Sequence, residues 1–228
     1  WLPVGDIAVR VNLMSAVFGA ATVYLLALLV ILFTRNRLAA VAAGLLFAFS
    51  MEFWEQAVIA EVYTLTAFLF ALCLLLLFQW ERARNNRLLV LLAAAVGLGV
   101  SVHNTFMLVA PIFALFVLLH DRAAAGRLPG LHRWAFYAGL SALSALCCVT
   151  LFLYVPLRAA AHPALNWGDP EGIAGFWRHV RREQFDFMVT QYPRSLDRFA
   201  GQMAAMGAMY LRQPLFGADV IGFLILCR

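Results

Sequence analysis

LMSAVFGAATVYLLALLVILF, residues Leu13–Phe33, runs for 21 residues without a charged side chain. At about 1.5 Å per residue, a helix of that length just crosses a hydrocarbon core of about 30 Å. A polar turn, Thr34, Arg35, Asn36 and Arg37, closes it, and another apolar run begins at Leu38. The chain around this stretch has the same character: of 228 residues, 64% are hydrophobic and 13% charged, with a mean hydropathy of +0.84. Ordinary globular domains are roughly 45–50% apolar and about 25% charged, so a soluble domain is excluded. Disorder is excluded too, because the chain has ample apolar surface to bury.

The net charge of +5 comes from 17 basic residues, all arginine. Most of them punctuate apolar runs instead of forming one basic face, which argues against nucleic acid as a partner. Cys73, Cys147, Cys148 and Cys227 lie inside apolar stretches without metal-ligand spacing, and read as buried thiols with neither a disulfide framework nor a metal site. The chain opens on Trp1 with no signal-peptide pattern and stops within the apolar run Ile221–Cys227, so a fragment of a longer protein is expected.

Further spans follow from length. Helices are expected at about 13–33, 38–53, 62–80, 88–102, 105–119 and 135–155. The run Leu88–Leu119 would be about 48 Å long as one helix, too long for the bilayer. It is therefore split where Ser101, His103, Asn104 and Thr105 interrupt it. Residues 156–213 read as external or interfacial amphipathic helices, and 214–228 as the start of another membrane helix. The fold class is all-α, a multi-pass transmembrane bundle of about six to seven membrane helices with an interfacial amphipathic helix.

Arginines beside short loops favour the cytoplasmic side. That places Arg35, Arg37, Arg82, Arg84, Arg87, Arg122, Arg127 and Arg133 inside, and the turn carrying Glu52, Glu55 and Glu61 outside. The segment after Val155 then falls outside despite its own arginines, a placement that rests on span length. Within it, Asp169 reads as an N-cap with Pro170 at the first helical position. The helix that follows has Ile173, Phe176, Trp177 and Val180 on one side and Arg178, His179, Arg181 and Arg182 on the other, the pattern of a helix lying among lipid headgroups. A second amphipathic helix, from about Ser195 to Leu211, carries a stripe of Met203, Met206 and Met209 that reads as ordinary packing.

Ionisable groups at or near the membrane are costly, which makes each a functional candidate once a partner is in view. Glu52 and Glu55 share a helical face, and Glu61 opens the next helix beside Tyr63 and Thr64. Glu61 is equally explained as a first-turn acid at a helix dipole. His103 and Asn104 mark a helix break, which either lines a cavity or merely caps two ends. Arg158 has the forked donors to hold a phosphate, or it snorkels to the interface. The turn Asn166, Trp167, Gly168, Asp169 is a candidate that capping also explains. GxxxxGK, GxSxG, HExxH, DxD and Rossmann glycine patterns are absent, so neither nucleotide use nor serine or zinc hydrolysis has support.

Four stretches carry a resemblance: RVNLMSAVFGA from Arg10, FAFSMEFWEQAVIAEVYTLTAF from Phe47, GLGVSVHNT from Gly97 and LYVPLRAAAHPALNWGDPEG from Leu153. Together they resemble the domain-of-unknown-function 2723 family, multi-pass bacterial proteins related to a vertebrate protein O-mannosyltransferase and placed among the GT-C glycosyltransferases. The resemblance extends to about Asp186. It implies a GT-C-like enzyme in the bacterial cytoplasmic membrane that transfers a hexose such as mannose, with inversion, from a polyprenyl-phosphate sugar to a protein or lipid-linked acceptor. The transfer would take place at the outer face, with membrane lipid as surroundings and no further cofactor. It also implies that the catalytic base lies in an external loop before Trp1, so no catalytic residue is carried over and this fragment alone is expected to be inactive. Two departures stand out. Ser50, Met51 and Glu52 replace the usual Ser-Pro before the Phe-Trp pair, and Asn104 follows His103 where Asn-His or His-His is common. A transporter or flippase for lipid-linked or anionic solutes is the alternative, with broken helices serving passage, and a purely structural membrane subunit is a third. An enzyme requires Glu61, His103 and Arg158 to face one outward cavity beside a lipid-facing slot, whereas a transporter requires midplane sites related by an internal repeat. No such repeat is visible.

Overall fold

The computed structural model describes residues 5–125, 130–163, 166, 168–187 and 195–211, and within them the chain is all-helical. The elements are α1 (Ile7–Thr34), α2 (Arg37–Ala48), α3 (Met51–Val58), α4 (Tyr63–Ala83), α5 (Asn86–Val102), α6 (Thr105–Ala125), α7 (Leu131–Ala159), α8 (Gly172–Arg181), a short 3₁₀ turn (Glu183–Phe185) and α9 (Leu196–Leu211). Among the described residues α1, α4, α6 and α7 are long and apolar enough to cross a membrane, and α2 with α3 passes the same test as one bent span. At 17 residues α5 is shorter, about 26 Å at the helical rise. The protein is thus a multi-pass helical membrane bundle. The expected start of a last membrane helix, at 214–228, lies outside the described residues.

One device is used twice to turn the chain. After α1, Arg35 takes a left-handed conformation (φ 53°) and its N–H closes on Ile31 O; the Asn36 side chain then accepts from the N–H groups of Leu38 and Ala39. After α4, Arg84 does the same (φ 52°, N–H to Trp80 O), and Asn85 accepts from Arg87 N–H. A left-handed residue with a side chain costs about 1–2 kcal/mol, and an Asn N-cap returns a similar amount by satisfying orphaned amides. The Arg-Asn pair therefore both ends one helix and starts the next.

The described residues divide into two compact units between Val155 and Pro156. In the first, α4 is central. Leu25 and Leu29 of α1 pack with Ala71 and Leu75 of α4. The opposite side of α4, with Cys73, Leu76, Leu77 and Trp80, packs with Leu89 and Leu92 of α5 and Phe106, Phe113 and Val117 of α6. Gly99 makes room for the Phe106 ring, whose Cε1 lies 2.3 Å from where a Cβ would stand. The pair α5–α6 is thus a hairpin folding back at His103–Asn104, as the length of Leu88–Leu119 requires. Along α7 only Ala159 is buried. It crosses α5 at Gly97, where a Cβ would fall 2.1 Å from Ser144 O.

Two expectations need correction. The helix expected at 38–53 is broken between Ala48 and Met51, and its halves bend by 65°. Ser50 is extended there (φ −64°, ψ 138°), and its hydroxyl donates to Phe47 O. Asp169 is not a helix N-cap: α8 is entered from Glu171. Gly168 (φ 72°), Asp169 (φ 41°) and Gly172 (φ 67°) are left-handed, so the backbone cannot settle into a helix at Pro170. The Asp169 carboxylate instead accepts from Asn166 Nδ2 at 2.9 Å.

Candidate functional site

The first unit has two polar ends. At one, Asn86, Arg84, His120, Asp121 and Arg133 gather from α4 to α7. Arg133 Nε and the Tyr137 hydroxyl both donate to Asp121 Oδ2. Arg133 Nη1 reaches Asn86 Oδ1 at 2.8 Å, and Arg84 lies 3.6 Å from Asp121 Oδ1. Arg133 also lies over the Phe136 and Tyr137 rings. This knot pins the start of α7 to α5 and α6. Sequence reading took these arginines only as a topology signal; Asp121, one residue from Arg122 at the end of an apolar run, is the sign that some are paired.

The opposite end holds most of the sequence candidates. Glu52 and Glu55 lie on α3 and Glu61 just before α4, all three exposed. Tyr63 opens α4, and its ring meets that of His103 at 5.7 Å between centroids, tilted by 51°. Two candidates 40 positions apart in sequence are thereby brought together. His103 is half-buried and extended, its own N–H bonded to Gly99 O at 2.9 Å. The Thr105 N–H donates to His103 Nδ1 at 3.3 Å, and the Thr105 hydroxyl lies against the same nitrogen. The amide contact favours the tautomer in which Nδ1 accepts and Nε2 carries the proton. Asn104 is exposed beside it.

This end is held by small polar residues that the sequence reading passed over. Ser15, Gly19 and Thr22 follow helical spacing on one buried face of α1. Ser15 Oγ donates to Glu61 O at 3.3 Å, and Thr22 Oγ1 approaches Thr64 O at 3.4 Å while donating to Phe18 O at 2.7 Å. At Gly19 a Cβ would sit 3.2 Å from Ala57 Cβ, so α3 lies close over α1. Thr64 is buried, and its Oγ1, like Gln56 Oε1 on α3, is shielded without a hydrogen-bond partner among the described residues. Such groups are rare in folded chains and mark capacity that a water or a ligand can use.

A cavity of about 740 Å³ lies between α5, α6 and α7. Its wall begins at Val100 and Met107, three and four residues from His103, and ends at Leu118, Trp134 and Tyr137, beside the Asp121 knot. Apart from Ser141, Ser144, Cys148 and the Tyr137 hydroxyl, the lining is hydrocarbon and aromatic ring. Among the described residues no three His, Cys, Asp or Glu side chains are grouped to hold a metal.

In the second unit, Arg158 lies in the last turn of α7, exposed. Asn166 and Asp169 are bonded to one another, and Asp169 is exposed. Trp167 lies outside the described residues. The structure therefore brings Tyr63 and His103 into contact and sets Glu61 on a bonded frame, while Arg158, Asn166 and Asp169 belong to the other unit.

The chain resembles known proteins. Residues 1–125 match the profile of the family described as protein O-mannosyl-transferase TMEM260 N-terminal domain. Over 191 residues the chain is 28% identical to the mouse (Mus musculus) protein O-mannosyl-transferase TMEM260, an alignment that covers 80% of this chain and 26% of that protein. The chain thus spans about a quarter of the length of that curated relative. No solved structure matches.

Proposed function

The chain belongs to the protein O-mannosyl-transferase TMEM260 N-terminal domain family, and from that membership we propose that it is the membrane-embedded part of a GT-C-type glycosyltransferase. Its donor is a polyprenyl-phosphate hexose, mannose in the first instance, and its acceptor a hydroxyl of a protein. The observation that carries this reading is the contact of Tyr63 with His103 at the end of the bundle where the wall of an apolar cavity between α5, α6 and α7 reaches Val100 and Met107. A lipid-linked sugar needs such a pairing of chemistries: polar donors for its head and a hydrocarbon wall for its tail.

In the transfer, the acceptor oxygen bonds to the anomeric carbon from the side opposite the phosphate. The carbon–oxygen bond to the phosphate breaks, its electron pair leaves with polyprenyl phosphate, and the acceptor's proton passes to a carboxylate base. The phosphate is already a fair leaving group, so what the protein must supply is that base together with donors fixed where negative charge develops. His103 Nε2–H is one such donor, held in orientation by Thr105. Tyr63 offers a ring face to the sugar, and Glu52, Glu55 and Glu61 line the acceptor side; Arg158, in the other unit, carries a forked cation of the kind that binds phosphate and is tested on its own. None of the three glutamates is assigned as the base.

The test is transfer of radiolabel from polyprenyl-phosphate mannose, with polyprenyl-phosphate glucose as comparison, by the full-length protein in vesicles. Mannose transfer is expected, with kcat/KM falling by about 100-fold in His103→Ala, the size of a well-placed polar catalytic contribution. A fall of about 10-fold or more is expected in Arg158→Ala. No transfer from either donor by the intact protein would overturn the reading, and transfer unaffected by both substitutions would remove these residues from the site.

A further inference from the structure

We infer that α8 is a membrane-surface anchor whose apolar edge sits in the interfacial layer and whose arginines engage the phosphates of anionic lipid. The inference is independent of the chemistry proposed above. It starts from a bare face: Ile173 is 82% exposed, Trp177 51% and Val180 37%. At 100° per residue these three and Phe176 fall on one side of the helix. Phe176 is half-buried among them, and Ile173 and Trp177 form the open part of that side. The same unit offers no cover from α9, whose own Leu196, Phe199, Met203 and Met206 are exposed.

The opposite side of α8 is fixed. Gly175 lies against the preceding turn so closely that a Cβ would stand 2.7 Å from Asp169 O and 2.9 Å from Pro170 C. The turn itself is held by the Asn166–Asp169 bond, by the left-handed Gly168, Asp169 and Gly172, and by His162 beside Glu171 at 3.9 Å. The bracket grips α8 by its back and leaves the apolar edge free.

The partner follows from charge and position. Arg181 flanks the apolar edge, while Arg178 and Arg182 lie behind it. Arg181 has Glu183 at 3.6 Å, and Arg178 makes no ion pair among the described residues. Only residues 160–171 separate α8 from the end of α7, a helix long and apolar enough to span the membrane, and turns at His162 and Asp169 shorten that tether. A short amphipathic helix with Trp on its apolar side and arginines beside and behind that side, tethered to a span, has the chemistry of an anionic lipid surface.

The test uses the full chain in vesicles of phosphatidylcholine, alone or mixed with phosphatidylglycerol. Trp177→Cys, in a background with the native cysteines replaced by alanine, is labelled with bimane and quenched by nitroxide-bearing lipid or by aqueous iodide. Lipid quenching severalfold stronger than iodide quenching is expected, increasing with phosphatidylglycerol, while a label at Arg178→Cys on the other side shows the reverse. Replacing Arg178, Arg181 and Arg182 by glutamine should abolish the phosphatidylglycerol dependence. Hydrogen exchange of residues 172–181 in the unsubstituted chain, slowed by the anionic vesicles, provides the same reading if the cysteine-free protein does not fold. Dominant iodide quenching would overturn the inference, as would protection from both quenchers, which would mean that protein covers the face. Quenching and exchange indifferent to anionic lipid would overturn the role given to the arginines.

Discussion

Gly97 shows how single residues set this architecture. Its missing side chain lets α5 and α7 touch backbone to backbone, since a Cβ there would overlap Ser144 O at 2.1 Å. Backbone cannot swing aside as a side chain can, so Gly97→Ala must push α7 away. A loss of about 1–3 kcal/mol is expected, read as a lowered unfolding temperature in nanodiscs. Gly139, on α7, has nothing within 4 Å of its Cβ position, and Gly139→Ala should be neutral or gain up to about 1 kcal/mol from helix propensity. Equal losses in the two variants would contradict the crossing. The residues of the Tyr63–His103 end were unevenly legible. His103 and Asn104 stood out because polar groups in a 32-residue apolar run demand a reason. Ser15 and Thr22 did not, because a small hydroxyl inside a helix is silent until the rotation of its neighbours is known, and Thr22 satisfies itself within its own turn.

Among the elements, it was legible which apolar runs form helices, but not their extent or direction: α1 and α7 run for 28 and 29 residues where about 21 were expected in each. The α5–α6 hairpin followed from counting residues against bilayer thickness, and its fold-back at His103 is where the polar cluster placed it. The 65° bend between α2 and α3 was hidden, since hydropathy reports only whether a residue tolerates lipid and Ser50 alone gives weak notice of a change of course. The cap of α8 differs for a related reason: Asp-Pro favours a helix start, but three left-handed residues in five positions make a bracket first. The Asp121 knot gives a prediction at this scale. Asp121 is 15% exposed in its side chain and accepts from both Arg133 and Tyr137. Asp121→Asn should cost about 1–3 kcal/mol by weakening charged hydrogen bonds and loosen the start of α7, seen as faster hydrogen exchange at its first turns. Glu81→Gln, whose partner His120 is 3.9 Å away and about as exposed as Glu81 itself, should cost less than about 1 kcal/mol. A Glu81→Gln loss as large as that of Asp121→Asn would contradict the role given to the knot.

For the whole molecule, the distribution of polarity matters most. Arginines and their partners gather at one end of the first unit, while Glu61, Tyr63 and His103 gather at the other, with a hydrocarbon-walled cavity running between the two ends. Positive charge favours the cytoplasmic side, so the Tyr63–His103 end is expected to face away from the cytoplasm, where a lipid-linked sugar would be used. That sidedness is most directly measured by labelling single cysteines with a membrane-impermeant maleimide in intact cells. Asn104→Cys is expected to label without permeabilisation and Arg87→Cys only after it; a residue 104 reachable solely from the cytoplasm would contradict the proposed site.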